Sequence, residues 1–185
     1  MPFCISKREL RRYNKKMNIQ TARAPHQPVY QAVLAAPFAK LGIQIAQDTV
    51  QTIHFLAADY PDQPPTCTLS HRVCAALLRY FADPDYRFDL PLAWSGTAHQ
   101  LKIWRALMQL PAGHTTSYGQ LAQQLNSSPR AVGQACGANP LPIIVPCHRV
   151  VAAHGRGGFM HAVSGAPLDY KTWLLTHESR ISQGA

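Results

Sequence analysis

The chain has 185 residues, of which 46% are hydrophobic and 15% charged, against about 25% charged in an average globular chain. That composition excludes a disordered polypeptide, and no apolar run has the length of a bilayer span or the placement of a signal peptide, so a soluble, cytoplasmic protein is expected. The net charge of +9 is unevenly spread: residues 1–24 hold seven Lys/Arg against one acid, 25–90 four against six, and 91–185 seven against two, a balance that favours a polyanionic partner, either nucleic acid or anionic membrane.

Residues 1–24 carry Lys7, Arg8, Arg11, Arg12, Lys15 and Lys16 with little apolar content, and they read as a solvated basic tail. Folded structure is expected from near Pro28. Three short strands, Val29–Ala35, Leu41–Ala46 and Val50–Leu56, are separated by turns at 36–40 and 47–49, the spacing of a β-meander. A Pro-rich loop at 61–65 leads into a helix over Thr66–Phe81, and 83–91 reads as a linker. The first unit, 25–90, is thus a small antiparallel sheet covered by a helix. None of its residues suggests chemistry. Cys67, His71 and Cys74 share a helical face with metal-like spacing, but no CxxC pair accompanies them and buried thiols commonly fill core, so no metal is expected.

The second unit, 91–185, is mostly helical. A helix over Thr97–Gln109 presents Leu101, Trp104 and Met108 on one face and stops at Pro111-Ala112-Gly113. Ser117 with Gln120 forms a capping box for a helix over Tyr118–Leu125. After the turn Asn126-Ser127-Ser128, Ser128 can cap a helix with Pro129 in its first position, which ends before Asn139-Pro140. Two short helices joined by a tight polar turn in a basic region fit a helix-turn-helix. Gly133 and Gly137 fall on one face of the second helix. They allow either close packing in the core or close approach to a nucleic-acid groove, and residue types leave both open. The chemistry concentrates in Leu141 to Val151, where Cys147 stands beside His148 and Arg149, whose charges can stabilise a thiolate.

The string Pro146-Cys147-His148-Arg149-Val150 resembles the active-site signature of the O6-alkylguanine-DNA alkyltransferases, also called methylated-DNA–protein-cysteine methyltransferases. The resemblance extends through Gly96-Thr97, Gln100, Trp104, Pro111, Gly113, Ser117-Tyr118, Arg130-Ala131-Val132-Gly133 and Asn139-Pro140 to Lys171, Trp173-Leu174-Leu175 and His177-Glu178. It covers residues 95–178 densely and 28–90 in outline. It implies an α+β fold: a ribonuclease H-like sheet and helix, followed by a mostly helical winged helix-turn-helix domain.

The resemblance also implies the reaction. Such proteins flip an O6-alkylguanine (and O4-alkylthymine) out of double-stranded DNA and move the alkyl group irreversibly onto their own cysteine, once per molecule, because the target atom is unreachable inside the stack. Cys147 is the implied nucleophile, and His148 deprotonates it through a water. Glu178 orients the imidazole, and Asn139 orders the turn before the cysteine. Tyr118, Arg130, Ala131 and Gly133 are the implied DNA contacts, with Arg130 filling the vacated stack and the glycine face turned to the minor groove. Glu178 has separate support, since it follows Leu174 and Leu175 on their apolar side, where a carboxylate needs a partner. The loop Met160–Pro167 is a few residues longer than the family's, and Ser164 within it is put forward as the pocket's serine. No cofactor is called for, and a monomer is expected. The competing reading is a lesion-binding module without transfer activity, which lacks the cysteine that this chain carries.

Overall fold

The computed structural model describes residues 29–179; the basic tail 1–24, its boundary near Pro28, and Cys4 lie outside them. The architecture is α+β. Strands β1 (Ala32–Ala35), β2 (Lys40–Ala46) and β3 (Thr49–Leu56) form an antiparallel meander in the order β1-β2-β3. The β2–β3 hairpin pairs Ala46 with Thr49. Its two linking residues, Gln47 and Asp48, both take left-handed backbone at φ 50° and 53°, the twist that a two-residue hairpin turn requires. The first strand is shorter than its sequence suggests and starts at Ala32, although Gln31 still donates its N–H to Ile43 at 2.8 Å.

Helix α1 (Thr68–Ala82) lies against this sheet through Leu69, Val73, Leu77 and Tyr80, a helical stripe of buried side chains. Its N-cap is Cys67, whose thiol accepts from the Ser70 N–H while the Ser70 hydroxyl accepts from the Cys67 N–H. The helix therefore begins two residues later than expected. The same cap dissolves the metal-like spacing, because Cys67 and His71 are exposed whereas Cys74 is buried. Among the described residues, no three His, Cys, Asp or Glu side chains converge on a cation site.

The helical part comprises α2 (Ala98–Leu107), α3 (Tyr118–Gln124), α4 (Pro129–Gly137) and the closing helix α5 (Ala166–Ser179). Thr97 with Gln100 and Ser117 with Gln120 make the two capping boxes, and Ser128 with Pro129 starts α4. Two short strands, β4 (Thr116–Ser117) and β5 (Val150–Val151), pair in parallel and tie the segment after Cys147 to the start of α3. One buried cluster runs from Ala32 on the sheet to Leu174 on α5. The two parts meet through aromatic contacts: Phe55 stacks on Tyr170 with ring centroids 5.0 Å apart, and Phe38 meets Trp173 at 4.7 Å.

The outer edge of β3 also holds the linker and the segment that precedes Cys147. Val50 donates to Pro91 O at 2.8 Å, and Ile53 donates to Pro140 O at 2.9 Å, next to Asn139. The sheet thus braces the turn that leads to Cys147. Among the described residues no helix is long and apolar enough to cross a membrane.

Candidate active site around Cys147

Four local devices set the course of the chain into Cys147. The Asn139 side-chain amide donates to Val145 O at 2.8 Å, and its oxygen accepts from the Leu141 N–H at 3.0 Å. Ile143 sits at φ 74° although it is β-branched and fully buried. Such a conformation costs about 1–3 kcal/mol and persists only where its surroundings impose it. Pro146, at φ −81° and ψ 62°, is the centre of an inverse γ-turn closed by the Cys147 N–H on Val145 O at 2.8 Å. Residues Cys147–Arg149 then form one 3-10 turn before β5.

The Cys147 thiol is buried and accepts from the Asn139 amide at 3.2 Å. Burial pushes its pKa up, while the Asn139 hydrogen bond and the positive charge of Lys171 pull it down. The net direction is upward, so a base is needed to make the reactive thiolate. Here the structure corrects one expectation. Neither charge adjacent in sequence turns to the sulfur: His148 and Arg149 both turn to Glu178.

Glu178 is 1% exposed and crowded with donors. Its Oε1 accepts from His148 Nε2 at 2.9 Å, from Arg149 at 2.8 Å and from the Tyr80 hydroxyl at 2.8 Å. Its Oε2 accepts from Arg149 Nε at 2.9 Å. Burial alone raises the pKa of this carboxyl, but its hydrogen bonds to His148 and Arg149 and their charges outweigh burial and hold it far below the usual range. Burial disfavours the His148 imidazolium more than Glu178 supports it, so the imidazole pKa is lowered. Because Glu178 stays ionised and accepts from Nε2, the other ring nitrogen, Nδ1, is left bare. That atom has no hydrogen-bond partner among the described residues, which suits a proton acceptor.

A cavity of about 360 Å³ opens above Cys147, lined by Tyr118, Gly133, Cys136, Gly137 and the loop from Gly158 to Val163. Lys171 is fully buried behind one wall, donating to Val150 O at 2.6 Å and Gly158 O at 2.9 Å. Burial lowers its pKa to about 8. The Tyr118 hydroxyl donates to the same Gly158 carbonyl at 3.1 Å, and burial raises its pKa to about 12, so it remains a neutral donor. Cys136 shares the cavity, but burial and the neighbouring Cys147 raise its thiol to about 12.

The loop itself differs from expectation. Phe159 and Ala162 exchange two backbone hydrogen bonds of 2.9 Å around Met160 and His161, at φ 51° and 61°. This tight turn carries His161 and Val163 to the cavity rim. Ser164 is exposed and is not among the lining residues, because the turn closes two residues before it. The glycine question also divides. A Cβ on Gly137 would come within 2.5 Å of the His161 ring, whereas one on Gly133 would meet Tyr118 at an ordinary 3.9 Å. Gly137 therefore makes room for this chain's own loop, and only Gly133 keeps an open face. Gly137→Ala should displace the imidazole and raise the labelling rate of Cys147 by iodoacetamide, read from peptide masses. Gly133→Ala should leave that rate unchanged and stabilise the fold by about 1 kcal/mol of helix propensity, read as a higher melting temperature.

Arg130 lies outside the cavity, exposed in the first turn of α4, where with Thr97, Gln100, Ser128 and Ala131 it lines a shallow groove. Two neighbours of the site have no role in the sequence reading, Tyr80 and Lys171, the latter named there only within the closing-helix motif. Lys171 carried a legible signal, since positions 171, 174 and 178 form one i, i+3, i+7 stripe of α5. Tyr80 carried none, because it belongs to the sheet-covering helix.

Comparison with known proteins gives a consistent set. Residues 98–180 match the family model described as 6-O-methylguanine DNA methyltransferase, DNA binding domain. The constitutive methylated-DNA–protein-cysteine methyltransferase of Bacillus subtilis is 34% identical over 163 residues, 83% of this chain and 96% of that protein. The Shigella flexneri methylated-DNA–protein-cysteine methyltransferase is 46% identical over 108 residues, and the match spans 57% of this chain and 61% of that relative's length. Among solved structures, Mycobacterium tuberculosis OGT in complex with DNA is similar with a TM-score of 0.67 at 31% identity, covering 80% of this chain and 91% of that one.

Proposed function

The chain belongs to the methylated-DNA–protein-cysteine methyltransferase family, and from that premise we propose that it repairs O6-alkylguanine in double-stranded DNA by moving the alkyl group onto Cys147. The observation that carries the reading is a buried thiol at the floor of a cavity, followed in the chain by an imidazole whose Nε2 is tied to the buried Glu178 carboxylate and whose Nδ1 has no partner among the described residues. His148 Nδ1 takes the thiol proton through a bridging water, and the sulfur attacks the alkyl carbon. The S–C bond forms as the C–O6 bond breaks, the electron pair stays on the guanine oxygen, and the base regains a proton. Glu178 holds the imidazole in the required tautomer throughout. The thioether has no route back to a thiol, so each molecule acts once. No cofactor is required.

In this reading α3 and α4 are the helix-turn-helix and β4–β5 its wing, while the sheet with α1 is a reduced ribonuclease H-like unit. Residues 25–90 then form the supporting domain and 91–185 the DNA-binding and transfer domain. The basic tail 1–24 adds non-specific affinity, at about 0.9 in the slope of log affinity against log salt for each phosphate neutralised. The protein works as a monomer on DNA in the cytoplasm.

The test is direct. Mixed with a duplex containing O6-methylguanine, the protein should gain the mass of a single methyl, located on the peptide carrying Cys147. Repeated turnover, or methyl on Cys136, would defeat the proposal. Arg130 supplies a second check, because its exposed place at the start of α4 suits entry into the stack. Arg130→Ala should slow repair within duplex DNA more than reaction with free O6-benzylguanine, which needs no flipping. Equal losses on the two substrates would assign Arg130 to the pocket or the fold.

A further inference from the structure

Tyr80 lies on α1, packed over the N-terminal sheet and 98 residues before Glu178, yet its hydroxyl reaches Glu178 Oε1 at 2.8 Å. The side chain is 1% exposed and held by its ring, which meets Phe88 and His177 at centroid distances of 5.5 and 5.3 Å. Its backbone is tied as well, since His177 Nε2 donates to Tyr80 O at 2.8 Å. The oxygen it binds is the one that accepts from His148 Nε2.

We propose that Tyr80 is a positioning residue for alkyl transfer: its hydroxyl holds Glu178 Oε1 in place and sets the orientation and basicity of His148, making the N-terminal unit part of the transfer machinery. The proposal rests on the reading of Cys147 as the alkyl acceptor. Its physical basis is the sharing of one carboxylate oxygen among three donors. Each donor draws part of the negative charge, so a Tyr80 hydrogen bond weakens the pull of Glu178 on the imidazole proton. Burial and the neighbouring Glu178 charge raise the phenol far above its usual range, and it stays a donor wherever the protein is folded. The other charged groups acting on His148 are Glu178 and Lys171 from α5, with Arg149 from its own segment.

Tyr80→Phe keeps the ring and removes only the hydroxyl. Released from one donor, Glu178 should bind the imidazolium more strongly and orient it less strictly. Single-turnover transfer from an O6-methylguanine duplex should fall about tenfold at neutral pH, a fraction of the roughly 10²–10⁴ that a positioned base contributes as a whole. The acid limb of its pH profile should move to higher pH, matching an upward shift in the His148 imidazole titration followed by NMR. Affinity for the lesion duplex should be unchanged. A second variant guards against a simple packing defect: 3-fluorotyrosine at position 80 keeps the hydroxyl and makes it a stronger donor, so the His148 titration should move down instead. An imidazole titration that stays at the wild-type value in both variants would overturn the proposal and reduce Tyr80 to a packing residue, whatever the rate. Wild-type protein that fails to transfer would instead defeat the alkyl-acceptor reading, and the His148 titration would still decide the role of Tyr80.

Discussion

Cys147→Ser should bind a lesion-bearing duplex as tightly as the parent protein and transfer nothing. The change replaces one atom at the floor of the cavity, and the new hydroxyl can still accept the Asn139 amide that now meets the sulfur at 3.2 Å. No buried polar group is orphaned, so the cost in stability is small. The chemistry is lost because a neutral hydroxyl is a far weaker nucleophile than a thiolate, and the imidazole lacks the driving force to ionise it. Mass measurement after prolonged incubation should show no added methyl, and a gel-shift titration should show undiminished complex. Residual transfer in this variant would point to a second acceptor, and Cys136, in the same cavity, would be the first to test.

His148→Ala and Glu178→Ala should each slow transfer by about 10²–10⁴, the usual contribution of a positioned base. Together they should do little more than either alone, because residues that act as one unit are non-additive. Glu178→Ala carries a further penalty. It leaves Arg149 without its carboxylate and strips the partners from Tyr80 and His148, so a loss of about 3–5 kcal/mol is expected in thermal or denaturant melts. Glu178→Gln, which keeps the volume, separates the kinetic loss from this structural one. The same network sets the pH dependence of stability. Both the His148 and Glu178 pKa values lie below their ordinary values of 6.5 and 4.5 in the folded protein. The unfolded chain therefore binds protons first as pH drops, and stability present at neutral pH should decline below about 6.5 and more steeply below about 4.5. Fully additive kinetic losses in the double variant would detach Glu178 from His148.

Much of this was written in local sequence. The meander was legible because its apolar residues alternate and its turn residues fall between them. The caps at Thr97, Ser117 and Ser128 were legible because capping needs only residues three apart. The segment around Cys147 was legible because a cysteine, a histidine and an arginine stand together among β-branched residues. The closing helix was harder. Three of the polar residues on α5, Lys171, His177 and Glu178, point inward, which blurs the contrast between its faces.

Local sequence was enough for the elements, for the caps of the second unit and for a candidate nucleophile, since each depends on residues within a turn or two of one another. Which groups those residues face was set by the fold as a whole. Adjacency suggested that the charges of Arg149 and His148 stabilise the thiolate, but a 3-10 turn swings both towards a carboxylate about thirty residues on, and the cation that acts on Cys147 is Lys171 from α5. Ser164 was favoured by its place in the loop, but the tight turn at Met160-His161 closes before reaching it and sends His161 and Val163 to the rim. Tyr80 reaches Glu178 only because the aromatic contacts of α5 with the sheet bring α1 beside it. Long-range contacts of this kind follow from packing a whole core, where shape and desolvation are settled jointly by residues far apart in the chain, and no local pattern encodes them.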